Sequence, residues 1–97
     1  MALEIKWTPQ AEKGLERVLK YLEAEWTAKE ILKLEKKIKQ VTKQISLTPE
    51  LFPKSETYKE LYKAIVDKNN YFVYRVNAKK GSVEIVNFRG TKQKPKY

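Results

Sequence analysis

Ile31, Leu34, Ile38, Val41 and Ile45 recur at intervals of three, four, three and four residues. On a helix that spacing gathers them into one narrow apolar stripe, the kind of seam that two packed helices share. Lysine and glutamate fill most of the positions between them. A helix built this way cannot stand alone, because the stripe must be covered. The seam lasts only about two heptads, too short for a free coiled coil. A cover therefore has to come from elsewhere in the same small domain. Upstream, Leu15, Val18, Leu19, Leu22 and Trp26 share a second helical face. Thr8-Pro9 before it reads as an N-cap followed by proline at the first helical position. Gly14 lies inside this helix, where glycine costs about 1 kcal/mol relative to alanine. The stretch "EWTAKE" separates the two helices, and Thr27 with Glu30 has the spacing of a capping box. So short a break predicts an antiparallel helical hairpin.

Around the hairpin the periodicity changes from 3.6 to 2. "LEIKWT" alternates Leu3, Ile5 and Trp7 with Glu4 and Lys6, which predicts a strand before the first helix. After the hairpin, "SLTPELFPKSETY" carries two prolines and ends the second helix. Three runs rich in Val, Ile, Tyr and Phe follow: "LYKAIV", "YFVYRV" and "VEIVNF". The turns "DKNN" and "NAKKG" separate them and predict an antiparallel meander. The order strand, helix, helix, strand, strand, strand implies an α+β domain in two layers, with the helices on one face of the sheet. The position of the first strand in that sheet is left open. At 97 residues the whole chain, 1–97, is one domain's worth.

Several chemistries are excluded by what the chain lacks. It has no cysteine and no histidine. Thiolate and imidazole metal sites are therefore improbable, and Ser-His-Asp or Cys-His catalysis is impossible. The three glycines, Gly14, Gly81 and Gly90, are scattered and form no phosphate-binding loop. No cofactor is expected. No apolar run approaches the roughly 20 residues needed to span a bilayer. "MALEIKWTPQ" has no signal-peptide apolar stretch, and a cytoplasmic location is expected.

Charge is unevenly placed. The formal net charge is +9. Residues 1–60 carry only +2 of it, whereas residues 61–97 hold nine basic residues against Asp67 and Glu84, a net of +7. The cations there are Lys63, Lys68, Arg75, Lys79, Lys80, Arg89, Lys92, Lys94 and Lys96, interleaved with Tyr62, Tyr71, Tyr74 and Tyr97; Tyr58 lies just before them. Arginine and lysine can hold phosphates or stabilise a phosphorane-like transition state, and tyrosine can stack on bases. One of Tyr71 and Tyr74 belongs to the core by alternation. Arg75, in mid-strand, fits an ion-pair partner or exposed strand residue better than a catalytic group.

Three stretches together resemble the RelE/ParE superfamily of type II toxin–antitoxin toxins, over nearly the whole chain. "IKWTPQAEKGLERVLKYLEAEW" is similar to the family's first strand and capped helix. "YFVYRV" is similar to the ParE-type central strand, and "VEIVNFRGTKQKP" to the last strand and tail. The resemblance implies a growth inhibitor that a cognate antitoxin protein neutralises. RelE-like members cut mRNA in the ribosomal A site; ParE-like members generally inhibit DNA gyrase and are not nucleases. The RelE-type arginine of the central strand would fall at Tyr71. The late RelE-type arginine would fall at Lys92, which keeps the charge and loses the bidentate fork. The family's late histidine has no counterpart, and Tyr97 would have to stand in for the terminal tyrosine. The ParE-like branch is the better fit. On that reading Tyr71, Arg75, Arg89, Lys92 and Lys94 contact the target or antitoxin. The competing nuclease reading assigns Lys63, Arg75, Arg89, Lys92 and Tyr97 to the scissile phosphate. A third reading is a non-toxic basic module that binds nucleic acid. Under either toxin reading, an acidic or amphipathic antitoxin segment lies on the cationic sheet side or on the helical hairpin.

Overall fold

The computed structural model describes residues 2–56 and 60–90. Strand β1 (Glu4–Trp7) leads into helix α1 (Pro9–Glu25), and a two-residue break leads into helix α2 (Ala28–Leu47). The meander follows as β2 (Tyr62–Asp67), β3 (Asn70–Asn77) and β4 (Ser82–Gly90). The four strands form one sheet in the order β1-β4-β3-β2. The meander is antiparallel, as its short turns require, while β1 pairs parallel to β4 with Ile5 opposite Val83 and Trp7 opposite Ile85. The helical hairpin is the crossover connection that a parallel pair needs, and it lies on one face of the sheet. At the turn after β3, Gly81 closes a single 3-10 turn at φ +63, where a side chain would be strained.

The seam residues Leu34, Ile38, Val41 and Ile45 are buried, as is Val18 of α1. They share one core with Ala64, Val66, Phe72, Tyr74, Val83, Ile85 and Phe88 of the sheet. Trp7, Phe72 and Phe88 form its aromatic centre, with ring centroids 6.1 to 6.3 Å apart. Two local expectations fail. Thr27 makes no side-chain cap, so the capping box with Glu30 is not formed; the Glu30 amide instead donates to the Thr27 carbonyl. Trp26 is the residue that ends α1, and it is half-exposed rather than part of the packed face.

Gly14 is buried against β4. A Cβ there would lie 2.2 Å from the Phe88 carbonyl oxygen. Its lack of a side chain is what allows α1 to rest directly on the β4 backbone.

Ile85 and Phe88 both face the helices although they are three residues apart, which a regular strand forbids. The register explains it. Tyr74 pairs with Ile85 and Val73 with Asn87, so one step along β3 matches two along β4. This is a β-bulge, with Val86 as the extra residue. Thr8 grips it. Its amide donates to the Ile85 carbonyl (3.1 Å), and its hydroxyl lies 2.9 and 3.0 Å from the Ile85 and Val86 carbonyls. The same oxygen caps α1 by accepting from the Ala11 amide. Thr8→Val keeps the shape and removes both roles. It is expected to lower stability by about 1–2 kcal/mol, the usual cost of a lost cap and a lost buried donor; chemical denaturation measures this.

Tyr74 is fully buried and donates to the Pro49 carbonyl at 2.6 Å, tying the segment after α2 to the sheet. Burial pushes its phenol up to about 12, outweighing a hydrogen bond from the Phe52 backbone, with Tyr62 and Glu50 adding to the rise. A raised acid favours the protonated folded state. Its contribution is therefore whole below pH 10 and lost as pH climbs toward 12. Over that window the protein should lose about 2–3 kcal/mol that a Tyr74→Phe variant does not lose, read from denaturation midpoints between pH 9 and 12.

Candidate functional site

The helices cover one face of the sheet, and alternation sends the remaining side chains outward. Lys63 and Ile65 come from β2, Tyr71, Val73 and Arg75 from β3, Glu84, Asn87 and Arg89 from β4, and Lys6 from β1. The cross-strand pairs arrange them in rows: Ile65–Tyr71–Arg89, then Lys63–Val73–Asn87, then Arg75–Glu84–Lys6.

The two ends of this face differ electrostatically. At one end the Arg75 Nε and a terminal guanidinium nitrogen both donate to Glu84 Oε1, at 2.8 and 2.5 Å. Arg75 is thus an ion-pair partner, the role that its mid-strand position favoured. At the other end Ile65 is 58% exposed. Tyr71 lies beside it, and the Lys63 ammonium sits 4.5 Å from the centre of the Tyr71 ring. That geometry is a cation–π contact. Arg89 is exposed on the far side of Tyr71. The bulge at Val86 is what aims it there, since Phe88 and Arg89 would exchange faces without the extra residue. Of the two tyrosines, Tyr74 is the core member; Tyr62 stacks on it with centroids 5.1 Å apart.

The structure therefore brings Lys63, Tyr71 and Arg89 together and sets Arg75 apart, two rows away. Lys92, Lys94 and Tyr97 lie outside the described residues. Ile65 went unread as a site residue, and its signal is plain in hindsight. It is an isoleucine on the solvent side of "YKAIVD", where alternation calls for a polar residue. The bulge also has a signal, the break of period two between Ile85 and Phe88. Among the described residues no group of acidic side chains could hold a metal ion.

A second feature lies where the hairpin tip meets the β2–β3 turn. A groove of about 550 Å³ is lined by Val18, Tyr21, Leu22 and Trp26 on the α1 side and by Glu30, Lys33 and Leu34 of α2. Its polar end is the turn, where the Asp67 carboxylate accepts from the Asn69 amide and the Asn70 side chain.

A family model described as the ParE toxin of the type II toxin–antitoxin system parDE matches residues 5–95. The chain belongs to this family. It is a toxin of a type II toxin–antitoxin system, in the ParE-like part of the RelE/ParE superfamily. The fold is similar to that of a chain from the chromosomal ParDE system of P. aeruginosa, with a TM-score of 0.76 over 94% of this chain and 98% of that one, at 15% identity. It is also similar to a chain of the RelBE2 toxin–antitoxin complex of Mycobacterium tuberculosis, with a TM-score of 0.62 over 93% and 99% of the two chains, at 14% identity. No curated protein sequence matches the chain at a significant level. Among the described residues, no helix is long and apolar enough to cross a membrane.

Proposed function

We propose that this toxin arrests growth through protein–protein contact with DNA gyrase, in the cytoplasm, without chemistry of its own. A cognate antitoxin neutralises it. The observation that carries this reading is the composition of the outward face. Its cations do not converge on one phosphate: Glu84 occupies Arg75, Lys63 lies over the Tyr71 ring, and only Arg89 stands clear at the near end. What the face offers is an exposed aliphatic and an aromatic side chain bracketed by cations, which is the make-up of a protein contact. Arg89, Tyr71 and Ile65 make that contact. Arg75 holds the face's far end, and Lys92 and Lys94, which follow Arg89 in the sequence, are assigned to the same contact. An acidic or amphipathic antitoxin segment covers the same face or the hairpin.

A supercoiling assay with purified gyrase tests the target. Inhibition at stoichiometric toxin is expected, and full gyrase activity in excess toxin would sink the proposal. The ribosome-dependent nuclease is the second reading, and the closeness of Lys63, Tyr71 and Arg89 favours it. Toeprinting on translating ribosomes separates the two: new mRNA ends during growth arrest would assign the toxin to that branch.

A further inference from the structure

The sheet has two outer strands, β1 and β2, and they are treated differently. An open strand edge invites pairing with another chain, and proteins blunt it with bulges, covering segments and charge. Along β2 the preceding segment supplies cover: Lys54 bridges to Tyr62, the Lys63 amide donates to the Pro53 carbonyl at 2.9 Å, and the Ser55 amide to the Leu61 carbonyl at 2.7 Å. A bulge between Ile65 and Asp67 kinks the rest. Among the described residues, no strand or bridge lies along the free side of β1. The Glu4 and Thr8 amides donate to the Gly81 and Ile85 carbonyls, at 3.0 and 3.1 Å. In a parallel ladder the Ile5 amide and carbonyl then point the other way, into the open edge. Leu3, just before the strand, is closed off by Ser46 of α2, whose carbonyl accepts from the Leu3 amide and whose hydroxyl donates to the Leu3 carbonyl.

The open edge is also self-complementary. Leu3, Ile5 and Trp7 pack toward the helices, whereas Glu4 and Lys6 are exposed and, among the described residues, in no ion pair. A second copy that extends the sheet with both helical layers on one face must run antiparallel, about a two-fold axis through a residue. An axis at Glu4 or at Lys6 sets that charge against itself. An axis at Trp7 sets Ile5 against Pro9, the first residue of α1. An axis at Ile5 sets Ile5 against Ile5, so that their free amides and carbonyls bond each other. It also sets Glu4 against Lys6 on the solvent face, twice. Opposite charges directly across a strand pair are favourable, and like charges are not.

We propose that β1 is a dimerisation edge, on which a second copy of the toxin pairs antiparallel about an axis at Ile5 and joins two four-stranded sheets into one. The helical layer fits the same arrangement. A shallow groove of about 470 Å³ lies beside β1, with Trp7, Leu15 and Leu19 as its apolar part and Glu12, Glu16 and Glu23 against Lys20 as its charged rim. In this register Leu3 of the second copy lies across from Trp7. Leu3 is tied to Ser46, so the end of α2 arrives with it. That end carries Leu47, which is 63% exposed, and Lys43 one turn earlier on the same face. An apolar side chain and a cation thus meet an apolar groove with an acidic rim, once on each side of the axis. This is the isologous pattern, in which each copy presents what the other receives. A foreign strand would satisfy the backbone alone. The exchange of Glu4 for Lys6, and of Leu47 for the Trp7 groove, selects a second copy of this chain. The proposal does not need the gyrase reading, and the end of the outward face with Ile65, Tyr71 and Arg89 stays uncovered.

Sedimentation equilibrium of the whole toxin across a dilution series tests this. The mass should rise from 11.5 kDa toward twice that value on concentration, with a dissociation constant of about 1–100 µM, as befits a small interface. E4K sets lysine against lysine on both sides of the axis, and K6E sets glutamate against glutamate. Each variant alone should weaken the dimer at least about tenfold. Mixed in equal amounts, the two should form a heterodimer about as tight as the parent, because every facing pair is then opposite in charge. Both positions are exposed, so the unfolding midpoints of the dilute variants should match the parent's. The Ile5 amide should exchange with deuterium more slowly as the parent is concentrated. A parent still monomeric at about 1 mM would overturn the proposal. So would single variants that dimerise as well as the parent does, or a mixture of the two that stays monomeric. Protection of Ile5 that does not depend on toxin concentration would give the edge to another segment of the same chain, and would overturn it too.

Discussion

Alanine at position 14 should lower the stability of this toxin by about 2 kcal/mol, although alanine is the better helix former by about 1 kcal/mol. A Cβ there would stand 2.2 Å from the Phe88 carbonyl oxygen, and the Phe88 nitrogen and carbonyl carbon lie within 3.3 Å. These are backbone atoms of β4, held at this point by the pairing of Phe88 with Phe72 of β3, so no rotamer change relieves the overlap. Either α1 lifts off the sheet or β4 bends, and both loosen the packing of Val18 and Phe88. Overpacking of this kind costs about 1–3 kcal/mol, and more where backbone meets backbone. A loss of about 2 kcal/mol lowers the thermal midpoint of a domain this size by about 8–16 °C. Valine, larger and β-branched, should leave no cooperative transition at 37 °C. The isolated α1 peptide should respond in the opposite sense, with alanine raising its helicity. A protein stabilised by Gly14→Ala would refute the close packing of α1 on β4.

That residue shows which parts of the fold were legible in the sequence. Local signals were read correctly where the reason was local: the Thr8-Pro9 start, the 3-4 seam of α2 and the antiparallel meander follow from neighbours in the chain. Gly14 looked like a weakness because its reason lies at Phe88, far along the chain. The place of β1 was unreadable for the same cause. Its partner begins at Ser82, and nothing in "LEIKWT" encodes a parallel register with a strand that distant. The bulge at Val86 joins the two effects. It depends on Thr8, and it decides which face receives Phe88 and which Arg89. The site was half legible. Tyr71 and Arg89 were named from the resemblance and do share a row. Ile65, an exposed apolar member, was passed over because its strand was read for β-propensity and not face by face.

Charge reversal at the near end of the outward face should abolish toxicity and leave the fold intact. In a variant combining Ile65→Glu and Arg89→Glu, the toxin concentration for half-inhibition of gyrase supercoiling should rise at least about 100-fold. Two central contacts removed or made repulsive cost a protein interface about 3 kcal/mol or more, and each 1.4 kcal/mol is a factor of ten. Both side chains are exposed, so the unfolding free energy should shift by less than about 0.5 kcal/mol per substitution. Growth arrest and stability would thus part company. Neutralising the other end supplies the contrast. Arg75→Gln with Glu84→Gln removes a surface ion pair worth about 0–1 kcal/mol and leaves the net charge unchanged. It should move the half-inhibition point by less than tenfold. A phosphate-cleaving face would split the pair, with Arg89→Glu harmful by itself. Losing Lys63 or Arg75 would then be fatal, and Ile65, which has no proton or charge to offer, would matter little. Toxicity that survives Ile65→Glu alone but fails with Lys63→Gln would move the toxin from contact inhibition to catalysis, with the same folded structure in both cases.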